Sequence, residues 1–265
     1  MCGICKTLPM VMIGTSRFCL EGTKLNEPIT DNHASIHTAI LRYEKTYERA
    51  VGGWRENSSI SFASVELEVG RLWHALVILL QPRLVLETGT FKGYSTACIA
   101  SALASLGGER RVITIDPYPQ DGQIWSGTEL EAFVSLRRQQ SQEAVSDLSR
   151  LGTRFDMLVL DSDHHYDTIM TELMLYEPLL NVGGTILMHD SLFFDGVGAA
   201  TRQLVSNRRF QGITLDSPRR AIPNDRCPGV TIVRKERDGY PELYFDNRYA
   251  GWEVGDRTMP PLLRT

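Results

Sequence analysis

The sequence has no excess of basic charge: 28 lysines and arginines stand against 32 aspartates and glutamates, for a formal net charge of −4. Binding to a phosphate backbone runs on clustered cations that displace counterions, so nucleic acid is not an expected partner. Long hydrophobic runs are missing too. The longest, Leu72 to Leu80, is interrupted by His74 and followed by Pro82, well short of the roughly 20 apolar residues of a membrane span, and no membrane partner is expected. Met1 to Leu20 holds the short apolar run Leu8 to Ile13 without a small-residue cleavage site or a charged start beyond Lys6, which points to a cytoplasmic location. Cysteine is sparse and odd in number: Cys2, Cys5, Cys19, Cys98 and Cys227 are scattered, as reduced thiols are and disulfide frameworks are not. The Cys2/Cys5 pair lacks the two further ligands of a zinc site. Internal repeats and low-complexity tracts are absent.

What remains is the pattern of one α/β domain, for which 265 residues suffice. Ile36, Ile40, Tyr43 and Tyr47 recur every three or four residues behind Thr30 or Asp31, predicting an amphipathic helix over 31–50. A second helix is expected from about Ser61 or Phe62 to Leu80, stopped by Pro82. His33 and His37 stand four apart but lack the intervening glutamate of a metal-binding helix, and His74 lies on an apolar face, as a packing residue does. Leu84–Leu86 then reads as a buried strand, Tyr94–Leu106 as a helix and Arg111–Ile115 as a strand. Residues 128–151 read as largely helical, with a short strand near Phe133–Leu136. Phe155–Leu160 is a third buried strand, 166–179 a helix, and Thr185–Met188 a strand entered through Gly183-Gly184. This alternation predicts a doubly wound, mostly parallel sheet with helices on both faces. Gly212–Leu215 and Val230–Arg234, joined without helical period, predict an antiparallel edge pair. The expected division is an N-terminal cap of helices over 1–80, a catalytic core over 81–240 and a surface-wrapping tail over 241–265.

In an open α/β sheet, ligands bind beyond the carboxyl ends of the strands. There the chain places Glu87-Thr88-Gly89-Thr90-Phe91-Lys92-Gly93-Tyr94-Ser95. Gly89 permits a tight turn and Gly93 a close approach of backbone to ligand. A dinucleotide fingerprint would put its second glycine at Phe91, so NAD is disfavoured. A cofactor with an amino-acid end needs a carboxylate for its ammonium and amides for its carboxylate, which Glu87 and the turn after it offer. That is the chemistry of S-adenosylmethionine. Asp116 ends the next strand, where an acid either accepts from both ribose hydroxyls of a nucleoside or merely punctuates the strand.

From about Leu84 to Ser191 the chain resembles the class I S-adenosylmethionine-dependent methyltransferases, and more narrowly the catechol and caffeoyl-coenzyme A O-methyltransferases and the bacterial sugar and natural-product O-methyltransferases. The resemblance is carried by E-x-G-x-x-x-G-Y-S, here Glu87, Gly89, Gly93, Tyr94 and Ser95, and by Ser141-Gln142, where that group often uses a Ser-Gln pair beside the adenine. It implies a Rossmann-like methyltransferase sheet whose cofactor residues are Glu87, Thr88, Gly89, Gly93, Ser95, Asp116, Ser141, Gln142 and Asp161.

The strand 155–160 delivers Asp161-Ser162-Asp163-His164-His165-Tyr166 to the same edge, and the strand 185–188 delivers His189-Asp190-Ser191. Methyl transfer from a sulfonium is an in-line displacement in which the acceptor oxygen sheds its proton. Mg²⁺ favours oxygen ligands and keeps open positions, so Asp161 and Asp190 can hold such an ion while it acidifies the acceptor. In the resembling families a Lys or His three residues past the first metal aspartate is the general base. Here that residue is His164, whose ordinary pKa near 6.5 suits the task. Ser191 and His189 are the candidates for the remaining metal ligands, left open by two departures: Ser191 stands where the catechol-like enzymes have Asn, and His189 where the sugar-modifying relatives have an acid. His165, Tyr166 and Asp167 read as structural; Phe193, Phe194 and Asp195 either border the acceptor pocket or pack under a loop.

The reading is an O-methyltransferase for a small-molecule acceptor, a sugar or phenolic moiety of a secondary metabolite. Its alternatives are a metal-independent N- or carboxyl-methyltransferase, a nucleotide-binding oxidoreductase, against which Phe91 speaks, and an inactive scaffold, against which the joint presence of Glu87, Asp116, Asp161, His164 and Asp190 speaks. The acceptor has no signature in the sequence, and a homodimer is left open.

Overall fold

The computed structural model describes residues 65–215 and 229–253. The expected helix over 31–50, His33 and His37, and every cysteine except Cys98 lie outside them. Cys98 is buried and free.

Helix α1, Leu67–Leu80, begins later than the periodicity suggests, because Glu66 before it is extended. It ends where Gln81 turns left-handed and returns its N–H to Val77 O, and Pro82 cannot continue it. His74 packs as expected, its Nδ1 3.1 Å from Cys98 O. Strand β1, Leu84–Thr88, runs two residues past its expected end and takes Glu87 into the sheet. Helix α2 is Tyr94–Leu106 and β2 is Arg111–Ile115, both as expected.

Over 128–151 the expected short strand is present, and the expectation of a largely helical stretch around it is corrected. A 3-10 turn, Glu129–Phe133, leads into β3, Val134–Arg137, and only Ser141–Arg150 forms a helix, α3. The outer edge of β2 takes Val134–Arg137 as a parallel partner, and a reciprocal Gln140/Glu143 capping box restarts the helix. Strand β4 is Phe155–Leu160, and α4, Tyr166–Tyr176, ends in a 3-10 turn over Glu177–Leu179. Strand β5, Leu180–His189, starts earlier than expected and contains Gly183-Gly184.

Helix α5, Asp195–Ser206, is an element the sequence reading lacks. Its first half, Gly196-Val197-Gly198-Ala199-Ala200, has too few large residues to show a period. Strands β6, Phe210–Leu215, and β7, Val230–Lys235, form the expected antiparallel pair.

The seven strands lie in the order β3-β2-β1-β4-β5-β7-β6. β1 to β5 pair in parallel and β7 runs antiparallel to β5. Strand residues alternate between two cores. Val85, Met157, Val159 and Leu187 join α1 and α2 through Trp73, Val77, Ile99 and Leu103. Leu86, Leu158, Leu160 and Ile186 join α3, α4 and α5 through Leu148, Leu173 and Leu204. Burial on both faces is why β4 is an unbroken apolar run except for Asp156.

At the opposite end of β7 from the site described below, Lys235 is fully buried. Its ammonium donates to the carbonyls of Glu177 and Leu180 and meets the Glu177 carboxylate at 2.9 Å, so the charge is matched. No helix among the described residues is long and apolar enough to cross a membrane.

The segment 246–253 lies across the starts of α4 and α5. Trp252 O accepts the Tyr166 N–H at 2.8 Å and Glu253 O accepts the Gly196 N–H at 3.1 Å, while Asp167 Oδ1 accepts the Gly251 N–H at 3.0 Å. Gly196 is required here, since a Cβ would stand 2.2 Å from Trp252 O and 2.5 Å from His164 O.

Candidate active site

Four parallel strands end on one edge, each carrying polar residues straight after its buried stretch. On β1, Glu87 pairs with Thr114 of β2 and Val159 of β4 and is wholly buried. The Thr96 hydroxyl donates to its Oε2, whereas Oε1 is buried with no hydrogen-bond partner. Burial pushes the carboxyl up to about 7, against the opposing pull of the nearby Ser95, Thr96 and Thr114 hydroxyls. A buried acceptor without a donor is costly, and a cation brought to it would relieve that cost.

The turn after β1 comes so close to β4 that a Cβ on Gly89 would lie 1.9 Å from Asp161 O; only glycine fits, at φ 85°. Phe91 is also left-handed, at φ 46°, a conformation unusual for a bulky residue. Asp116 holds it there: its Oδ2 accepts the N–H groups of Thr90 and Phe91 at 3.1 and 2.9 Å, and its Oδ1 that of Tyr118 at 2.8 Å. The residue expected at a ribose is therefore first of all the clamp of the glycine turn.

Gly93 opens α2 at φ 77°, against Gln123 Oε1 and Trp125 Nε1. Both atoms are buried without a partner. Neither residue was singled out from the sequence, in which the loop 116–128 has no period. Ser95 is buried beside Glu87. Ser141, at the head of α3, is buried with its hydroxyl on Glu172 Oε1 at 2.7 Å, whereas Gln142 is exposed.

At the ends of β4 and β5 the structure brings Asp161, His164, His189 and Asp190 together. His189 is buried with Nε2 2.9 Å from Glu66 Oε2 and Nδ1 3.2 and 3.3 Å from Asp161 Oδ1 and Asp190 Oδ2. Burial lowers its proton affinity, but the three carboxylates prevail and hold its pKa well above the ordinary value. Burial likewise opposes ionisation of Asp190, yet His189 and His164 keep its carboxyl well below the usual range. Asp161 is raised instead, because its desolvation outweighs the pull of His189.

His164 places Nε2 3.0 Å from Asp190 Oδ2 and stacks on Phe194 at 3.8 Å between centroids. Despite partial desolvation, the Asp190 contact raises its pKa. The Asp161 and Asp190 side chains are 15% and 13% exposed, so the cluster is shielded but reachable.

One donor atom each from Asp161, His164 and Asp190 lie within 4.8 Å of one another. Two carboxylate oxygens and an imidazole nitrogen suit a divalent cation. Ser191 is not part of this group, since its Oγ accepts from the Thr231 hydroxyl at 2.9 Å. His165 faces away, toward Asp163 and Glu253. Glu66 was beyond sequence reasoning, being 123 residues from the histidine it holds.

Residues 86–191 match the model of a methyltransferase domain. Rhamnosyl O-methyltransferase of Mycobacterium tuberculosis is 27% identical over 128 residues, covering 46% of this chain and 52% of the relative. The matched segment thus spans about half the length of that protein. Catechol O-methyltransferase of Niastella koreensis is 26% identical over 177 residues, 65% of this chain and 77% of its own. Among solved structures, the O-methyltransferase from Bacillus cereus in complex with S-adenosylhomocysteine superposes with a TM-score of 0.58 at 14% identity, covering 80% of this chain and 93% of that one. TomG from Streptomyces achromogenes, involved in tomaymycin synthesis and solved with S-adenosylmethionine, gives 0.58 at 19% identity, covering 78% and 97%.

Proposed function

We propose that the chain is a class I S-adenosylmethionine-dependent methyltransferase, as its likeness to the methyltransferase domain and to O-methyltransferases supports, and that it methylates a hydroxyl of a small molecule, on a sugar or a phenolic ring. The observation that carries this reading is the direct contact of two half-sites: the Gly89 turn lies against the backbone of Asp161, the first member of the Asp161/His164/Asp190 group. The cofactor's amino-acid end and the proton-handling residues are thereby neighbours. The activities named for the two curated relatives, one acting on a rhamnosyl group and one on a catechol, support a hydroxyl acceptor.

Glu87 Oε1 receives the ammonium group of the cofactor, and Gly89 and Gly93 let the backbone come close to it. Asp116 fixes the turn and accepts from the ribose. Gln123 and Trp125 offer an acceptor and a donor beside Gly93. Asp161 and Asp190 hold a divalent cation, Mg²⁺ or a similar ion. Such an ion, when bound, acts as a Lewis acid that lowers the pKa of an acceptor hydroxyl. His164, leaving the ion to the two aspartates and giving up its contact with Asp190, takes the acceptor's proton while the acceptor oxygen bonds to the methyl carbon and the carbon–sulfur bond breaks. S-adenosylhomocysteine and the methyl ether leave.

His189 favours a second, metal-independent reading. Its ring stands between Asp161 and Asp190 and, protonated, supplies positive charge where an ion would. One experiment separates the two: turnover to S-adenosylhomocysteine with a panel of sugar and phenolic acceptors, in chelator and after adding back Mg²⁺. Restoration by Mg²⁺ supports the first reading, equal turnover in both conditions the second, and the absence of S-adenosylhomocysteine binding overturns both.

A further inference from the structure

Among the apolar positions of α4, Ile169, Met170, Leu173 and Tyr176, the helix buries an acid, Glu172, which is 2% exposed. Its contacts are three hydroxyls. Thr88 and Ser162 donate to Oε2 at 2.8 Å each, and Ser141 donates to Oε1 at 2.7 Å. Burial raises its pKa while these same hydroxyls pull it down. One turn further along α4, the Tyr176 hydroxyl donates to the carbonyl of Ser141 at 2.7 Å. The head of α3 is therefore tied twice to one face of α4.

The three donors come from three separate elements. Thr88 closes β1 between Glu87 and Gly89, Ser162 follows Asp161 at the end of β4, and Ser141 opens α3. Each adjoins or is a residue that the resemblance to methyltransferases implies for the cofactor, and the inference rests on the proposed function. A buried carboxylate is an expensive way to fill space in a core, where leucine packs at no desolvation cost. What the carboxylate adds is direction: it fixes three hydroxyls relative to one another, and a hydrogen-bonded network of this kind specifies a single arrangement.

We propose that Glu172 is a positioning residue for S-adenosylmethionine, the common acceptor that sets the Glu87–Gly89 turn, the Asp161 turn and the head of α3 in the spacing that binds the cofactor. It does so from behind the site, without touching the ligand.

The test is the affinity for S-adenosylhomocysteine, measured by calorimetry at a temperature where circular dichroism shows each variant folded. Glu172→Leu removes all three acceptors at similar volume and should weaken binding at least tenfold. Glu172→Gln keeps the shape, and because hydroxyls rotate to accept from its amide, it should bring affinity back to within about threefold of wild type. Tyr176→Phe, which cuts only the second tether of Ser141, provides a milder perturbation should Glu172→Leu fail to fold, and should weaken binding about threefold. A role in stability alone would lower the melting temperature and leave the affinity of the folded protein unchanged; that result, in Glu172→Leu or, if it is unfolded, in Tyr176→Phe, overturns the inference. Wild-type protein that binds no S-adenosylhomocysteine overturns the proposed function along with it.

Discussion

Glu87 makes opposite demands on stability and on binding, and pH separates them. In the free protein its carboxyl sits at about 7 instead of its ordinary 4.5. The folded state thus holds the proton more tightly than the unfolded one. The contribution to stability is complete below pH 4.5 and is lost as pH rises from there to about 7, a loss on the order of 3 kcal/mol for a shift of this size. Binding has the reverse sign. An ammonium group brought to Oε1 favours the carboxylate; if it restores an ordinary carboxyl pKa, affinity for S-adenosylhomocysteine should fall about 70-fold between pH 8 and pH 5, or ~2.5 kcal/mol. Calorimetry across that range reads the slope directly. Glu87→Gln, neutral throughout, should flatten most of it, so that Asp161 and His164 account for any remainder. The same variant should bind more weakly at pH 8 yet melt at a higher temperature there, because it no longer buries an ionising group. Wild-type affinity that stays level from pH 5 to pH 8, or a Glu87→Gln variant that keeps the full slope, would falsify the assignment of Oε1 to the ammonium.

His164→Ala should lower kcat by about 10² to 10⁴, the usual worth of a general base, with S-adenosylhomocysteine affinity nearly intact. His165→Ala, whose ring faces Asp163 and Glu253, should cost far less, and a reversed order in steady-state kinetics would move the base to His165. Chelator should abolish turnover and Mg²⁺ restore it, and Asp190→Asn should weaken metal binding in titration calorimetry; full activity in protein shown metal-free by elemental analysis refutes the ion's role. Asp116→Ala releases the amides of Thr90, Phe91 and Tyr118 and should weaken cofactor binding by roughly 1.5 to 3 kcal/mol, the range for hydrogen bonds to charged groups. Unchanged affinity would remove Asp116 from the cofactor site.

Strands buried on both faces were the most legible elements, because an unbroken run such as Leu158-Val159-Leu160 leaves few other conformations open. From such strand ends the acids Glu87, Asp116, Asp161 and Asp190 could be read as a group. Over 128–151 the short strand near Phe133–Leu136 was legible, but the helical pattern around it was overstated: β3 is only four residues long, at intermediate burial, and depends on the edge of β2 for its hydrogen bonds. Helix α5 was hidden by its small residues, of which Gly196 is imposed by the approach of Trp252 from a distant part of the chain. The partners of known residues were the least legible. Glu66 meets His189 only through the fold, and Glu172 left only a weak local sign, one acid in an apolar helical stripe. Ser191, a candidate ligand from its place beside Asp190, instead accepts the Thr231 hydroxyl, a partner the sequence does not show.

The segment 246–253 is held across the His164 turn largely by its own peptide groups: two carbonyls accept from the starts of α4 and α5, and one N–H reaches Asp167. Peptide groups are the same whatever side chain they carry. Trp252, edge-on to Tyr249 at 5.0 Å and 42% exposed, can therefore be exchanged for other residues while the backbone stays in place, whereas Tyr249 packs on Tyr166 and the core behind it. The outer surface of this strap is free to drift in shape, whereas Gly196 beneath it is not.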